Sequence, residues 1–353
     1  MRRPNLVKEG TSVNSITLPA WRRRRTAVLA AILAVVVAAV GAIGAAASPT
    51  ATKAKVAYLS FAVANTYDAP MLAAAKKVAK AQKASVTVFD AANDPKKQLA
   101  QLQTVIASKQ YNGIILQPIF GPQLIPTVRQ AIKAKIKVAN IDQILGPNPS
   151  TAAPPIKGLS GNVVFVQTDI GKKQGGLVVA ACAQLKANPC KVGYLYSVKV
   201  SSLDTAIRKG FDAVTAGHNI QVVAEGETFY TPSVALKAAQ TMLQAQPDMD
   251  VIVGADQGAT GAEQALNGQK KTLVGYGGGQ VGLSKVASGA WFGTVMQRPA
   301  TEGKLGMQCL LKAISTGAAG KVCSRGIDVL KGLPSGGVVI KGNASKFKAE
   351  WPG

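Results

Sequence analysis

Short β-branched runs alternate with stretches of helical period along most of this chain, and the alternation runs in two successive series. Residues 56–61, 85–90, 113–117 and 137–141 read as strands, with helical segments at 70–82, 95–108 and 121–134 between them. A segment rich in proline and glycine, 146–161, interrupts the pattern, after which strands are expected at 163–168, 191–196, 221–227, 251–254 and 272–276. Strand–helix units of this kind build parallel sheets covered by helices on both faces. A second series of the same unit predicts two similar α/β lobes side by side. The 353 residues, 47% of them hydrophobic, suffice for two such cores. Local signals agree, since Asn93-Asp94-Pro95 supplies a cap followed by proline at the first helical turn.

The first 47 residues belong to neither series. Four arginines at 22–25 precede an apolar run from Ala27 to Ala47, and Ala45, Ala46 and Ala47 stand before Ser48-Pro49 as small residues suited to cleavage. Residues 1–47 therefore read as a signal peptide, with an uncleaved N-terminal anchor as the competing reading and the arginine block also compatible with a twin-arginine route. Under either reading the remainder is exported, to the periplasm or the cell envelope. The chain holds 41 basic and 17 acidic residues, for a formal charge of +24. Many lysines, such as Lys76, Lys77, Lys80 and Lys83, fall on expected helix faces, are not interleaved with aromatics and accompany no DNA-reading motif. They read as a solvated basic surface, and no nucleic-acid partner is expected.

Four cysteines form two local pairs, Cys182 with Cys190 and Cys309 with Cys323. In an oxidising compartment this spacing predicts two small disulfide loops, each tying a helix end to the segment after it. A metal site is disfavoured, because there is no CxxC spacing and the sole histidine, His218, sits in an expected loop.

Ligands of parallel α/β sheets bind beyond the carboxyl ends of the strands, so residues there carry the functional expectation. They are Asn65, Tyr67 and Asp68 after the first strand, Asp142 and Gln143 after the fourth, Asp169 near the middle crossing, then Thr205, Arg208, Tyr230, Asp256 and Gln297. The set contains carboxylates, amides and aromatics but no nucleophile–base pair. Carboxylates and amides hydrogen-bond sugar hydroxyls, and tyrosine packs on the apolar C–H face of a sugar. Any one of these residues could equally be a turn former or helix cap. Their recurrence at strand ends in both halves favours a shared cleft.

Over residues 55–351 the chain resembles the type I periplasmic binding proteins of the ribose- and galactose-binding kind. The resemblance is carried by Val56-Ala57-Tyr58-Leu59 leading to Asn65, by Asn93-Asp94-Pro95-Lys96-Lys97-Gln98, and by Gly113-Ile114-Ile115-Leu116-Gln117-Pro118. It continues in Val138-Ala139-Asn140-Ile141-Asp142, Lys209-Gly210-Phe211, Gln246-Pro247-Asp248, Gly261-Ala262 and Val274-Gly275-Tyr276. It implies two Rossmann-like lobes with parallel sheets joined by a hinge, divided as 54–166 plus 298–325 and 167–297 plus 326–353. Ligand contacts are implied at Asn65, Tyr67, Asp68 and Asp142 in the first lobe, and at Tyr230 and Gln297 in the second. Four positions depart from the family's pattern. Thr205 and Gln143 stand where arginines are expected, Ala255-Asp256 replaces an asparagine–aspartate pair, and Gly277 replaces an aspartate. Those losses point to a neutral ligand.

The function implied is capture of a small polar solute, a monosaccharide first, by a monomer that delivers it to an ABC transporter permease. No cofactor and no enzymatic activity are implied. A nucleoside, autoinducer, polyol or amino acid on the same fold is the alternative. A dinucleotide-binding reading of Gly275-Tyr276-Gly277-Gly278-Gly279 lacks the rest of its unit. A repressor of this fold would need a helix-turn-helix where this chain has its leader.

Overall fold

A computed structural model describes residues 53–353, so the expectation for residues 1–47 lies outside the described residues. Among the described residues no helix is long and apolar enough to cross a membrane. Two six-stranded sheets organise the body. The first has the order β11-β5-β4-β3-β1-β2, from β1 (Lys55–Ser60), β2 (Ser85–Asp90), β3 (Gly113–Leu116), β4 (Lys137–Asp142), β5 (Gly161–Val164) and β11 (Ile327–Asp328). The second has the order β12-β10-β9-β8-β6-β7, from β6 (Cys190–Tyr196), β7 (Ile220–Glu227), β8 (Val251–Val253), β9 (Thr272–Val274), β10 (Gly293–Val295) and β12 (Val338–Ile340). All neighbours pair in parallel except β10 with β12.

Burial explains why the strands read as they do. Every residue of β3, β5 and β8 is buried, as central parallel strands covered on both faces require. The outermost β2 and β7 are only half-buried and alternate accordingly. In the first lobe α1 (Asp68–Ala81) packs on α9 (Pro299–Thr316), and α2 (Pro95–Ser108) packs on α3 (Gly121–Lys133). In the second lobe α4 (Gln167–Leu185) packs on α5 (Ser202–Thr215), and α6 (Pro232–Ala245) on α7 (Asp256–Leu266), with α8 (Gln280–Ser288) against β10 and β12. The α2 start is as expected: Asp94 Oδ1 accepts from the Lys96 and Lys97 amides at 2.8 and 3.2 Å ahead of Pro95. Two helix pairs cross at glycine contacts. A Cβ on Gly303 would lie 2.0 Å from the Met71 carbonyl oxygen, and one on Gly210 would lie 2.2 Å from that of Thr168. Only hydrogen fits at either crossing.

The structure differs from the sequence reading in three places. The expected strand at 163–168 pairs only to Val164, because the chain leaves the first sheet there and starts α4 at Gln167 in the second lobe. The segment from 326 was expected in the second lobe, yet β11 pairs with β5, so the last crossing comes after Asp328. The strands β10, β11 and β12 were not foreseen. Each has only two or three residues. Both disulfides form as expected: Cys182–Cys190 ties the end of α4 to β6, and Cys309–Cys323 ties α9 to the turn before β11.

Candidate ligand-binding cleft

The carboxyl ends of both sheets face one narrow cavity between the lobes, the position at which ligands of parallel α/β sheets bind. The first lobe supplies a polar wall. Asn65, Tyr67 and Asp68 come from the loop after β1 and the start of α1, Gln117 from the end of β3, and Asp142 with Gln143 from the end of β4. Gln117 organises this wall. Its Nε2 donates to Asp68 Oδ1 at 2.5 Å and to Asp142 Oδ2 at 3.0 Å, while its Oε1 accepts from the Phe61 amide at 3.1 Å. The Tyr67 hydroxyl lies 3.4 Å from both Asp142 Oδ1 and Glu302 Oε2. Glu302, on α9 just behind the wall, is fully buried.

Three carboxyl groups thus share a space with neutral partners. Burial pushes Asp142 up to about 6 against the lowering effect of its hydrogen bonds from Gln117 and Tyr67. Burial, and then the neighbouring Asp142, raise Asp68 and Glu302 well above the ordinary carboxylate range. Asp68 Oδ2, Gln143 Oε1 and Glu302 Oε1 are buried without a hydrogen-bond partner. Buried acceptors of this kind are costly unless something satisfies them.

The second lobe supplies an uncharged wall. Leu203, Tyr230, Ala255, Gln257 and Tyr276 line it, with Gln297 at the β10 crossing and Trp351 from the C-terminal segment. The Tyr276 hydroxyl lies 3.2 Å from Ser197 Oγ. The lobes meet across the cavity mouth. Phe61 stands edge-on to Tyr230 with ring centroids 6.1 Å apart, Gln257 Nε2 donates to Asn65 Oδ1 at 3.4 Å, and the Gly121 amide donates to Ser202 Oγ at 3.4 Å. Trp351 is edge-on to Tyr67 at 5.4 Å and donates from Nε1 to the Gly277 carbonyl at 2.9 Å. Asp142 and Tyr230, one from each lobe, both adopt left-handed backbone, with φ of 67° and 53°. Strained residues of this type gather at functional sites.

Seven residues expected from the sequence therefore come together: Asn65, Tyr67, Asp68, Asp142, Gln143, Tyr230 and Gln297. Four do not. Thr205 is exposed and its hydroxyl donates back to the Ser201 carbonyl at 3.0 Å in the first turn of α5. Asp169 pairs with Lys172 on α4, and Arg208 engages Asp212, Glu225 and the Tyr196 hydroxyl. Asp256 is fully buried but faces its own lobe, where it accepts from Thr294 Oγ1 at 2.7 Å and from the Gly279 amide at 3.0 Å. The cavity adds Phe61, Gln117, Phe165, Leu203, Gln257, Tyr276 and Trp351. Gln117 and Tyr276 were within reach of the sequence, each being the last residue of an expected strand. Trp351 and Glu302 were not, since only tertiary folding brings them to the site.

Two parallel-sheet lobes closing on a polar and aromatic cavity define a small-molecule binding protein. The chain belongs to the family described as periplasmic binding protein domain, whose model matches residues 56–319. It is 28% identical over 251 residues to the D-allose-binding periplasmic protein of Escherichia coli K12, covering 68% of this chain and 78% of that protein. It is 24% identical over 233 residues to the ribose import binding protein of Bacillus subtilis strain 168, covering 65% and 72%. Its fold matches an ABC transporter solute-binding protein from Mycobacterium smegmatis with bound glycerol, at a TM-score of 0.69 and 24% identity over 85% of this chain and 99% of that one. The Caulobacter myo-inositol-binding protein bound to myo-inositol matches at 0.66 and 20% identity, over 83% and 96%.

Proposed function

We propose that this chain is an exported solute-binding protein that captures a monosaccharide or similar small polyhydroxylated solute between its lobes and delivers it to an ABC importer. One observation carries the reading. A wall of amides and carboxylates with unpartnered buried acceptors faces an uncharged wall bearing Tyr230 and Tyr276 across one cavity between the lobes. Hydroxyls answer the first wall and the C–H faces of a sugar ring answer the second. The names of relatives that bind allose, ribose and myo-inositol support it.

The mechanism is capture by closure. A solute touching both walls favours the closed form by its differential affinity for it, and the closed surface is what a permease would recognise. The chain acts as a monomer, and the cleft binds without covalent chemistry. A thermal-shift screen of the purified chain against pentoses, hexoses, polyols, nucleosides and amino acids tests the proposal. Stabilisation led by sugars or polyols is the expected outcome. A screen led by nucleosides or amino acids would overturn the assignment.

A further inference from the structure

We infer that the solute presents a protonated amine to Asp68 and Asp142, so that the cleft takes an amino sugar or amino polyol rather than its neutral parent. The inference rests on the sugar-capture reading above and narrows it.

The first argument is charge. The chain has 41 basic and 17 acidic residues, yet among the described residues the cavity is lined by two carboxylates and no lysine, arginine or histidine. The arginines nearest to lining positions in sequence are engaged elsewhere: Arg208 with Asp212 and Glu225, Arg298 with Glu350. Asp68 and Asp142 are each 3% exposed, and Glu302 behind them is fully buried. Buried carboxylates require a cation or a proton.

The second argument counts donors and acceptors. Both protons of the Gln117 amide are taken by Asp68 Oδ1 and Asp142 Oδ2, and the Tyr67 hydroxyl faces Asp142 and Glu302. Asp68 Oδ2 and Gln143 Oε1 remain buried acceptors without partners. Beside the two carboxylates, a sugar hydroxyl brings one donor together with lone pairs that the engaged Gln117 amide and Tyr67 hydroxyl do not answer. An ammonium brings three donors and no acceptor.

Calorimetric titration of the purified chain at neutral pH with matched pairs tests this: D-glucose with D-glucosamine, D-galactose with D-galactosamine, and glycerol with 3-amino-1,2-propanediol. In at least one pair the amine should bind about tenfold or more tighter than its neutral partner, as expected for a charge-assisted bond in a buried site. Asp68→Asn should reduce that preference to about twofold or less. Asp142→Asn, at the second carboxylate, should reduce it as well. Neutral members binding as tightly or tighter in every pair would overturn the inference and leave sugar capture standing. Equal preference in the parent and both variants would overturn it too. No binding by any member would overturn both readings.

Discussion

At the first-lobe rim the strand ends present Asn65, Asp68, Gln117, Asp142 and Gln143, whereas the second-lobe rim presents Leu203, Tyr230, Ala255, Gln257 and Tyr276. The second lobe has strand-end carboxylates of its own, but it turns them inward. Asp204 accepts from the Ser197 amide at 3.1 Å and from the Val198 amide, which fixes the loop before α5. Asp256 accepts from Thr294 and Gly279 and sits where a Cβ on Gly275 or Gly282 would come within 2.3 Å of its oxygens. One structural unit, used twice, therefore places carboxylates toward solute in one lobe and toward its own loops in the other. On the proposed reading, the first lobe would supply most polar contacts to the solute and the second an uncharged surface that closes on it.

Removing Asp142 should break that asymmetry most severely. Asp142→Ala should weaken solute binding by about 1.5–3 kcal/mol, roughly ten- to a hundredfold, with the fold retained, because it deletes the charged partner at the centre of the polar wall. Calorimetry with the solute identified by the screen reads the loss. At the matching second-lobe position the cost should fall on stability. Asp256→Ala leaves the Thr294 hydroxyl and the Gly279 amide without their acceptor in a buried site, which should cost about 1–3 kcal/mol in denaturant unfolding.

The pair can be sharpened by pH. Asp142 is raised to about 6 in the folded chain, above its value of about 4 when unfolded. The folded state therefore binds more protons in that window, and the contribution is present below about pH 4 and lost as pH rises through 6. Between those values the unliganded parent should lose thermal stability relative to Asp142→Asn, in which this titration is absent. The smallest effects belong to the aromatics. Tyr230→Ala should weaken binding by about 0.5–1.5 kcal/mol beyond lost area. Tyr67→Ala should do more, since the Tyr67 hydroxyl also reaches Asp142 and Glu302.

How much of this was legible beforehand varies with range. The α/β class and the strands β1 to β4 follow from period and from β-branched runs, which are local properties. The polar wall was legible too, because Asn65, Asp68 and Asp142 come directly after strong strands. Asp142 and Asp256 show where local reading stops. Both are aspartates just beyond buried strands, yet only tertiary packing turns one to the cavity and the other to Gly279. Gly275, Gly277 and Gly282 were the available clue, since a Cβ on any of them would crowd the Asp256 carboxylate. Glu302 lies 160 residues beyond Asp142 and joins it only through folding.

Small-angle scattering tests the central claim most directly, because one solute held between two walls must close them. The radius of gyration of the unliganded chain should exceed that calculated from the closed structure and should fall to it on saturation with the identified solute. Asp142→Ala should not change at the same solute concentration. A radius of gyration unaltered by a solute that calorimetry shows to be bound would contradict the account, and would place the binding site outside the cleft.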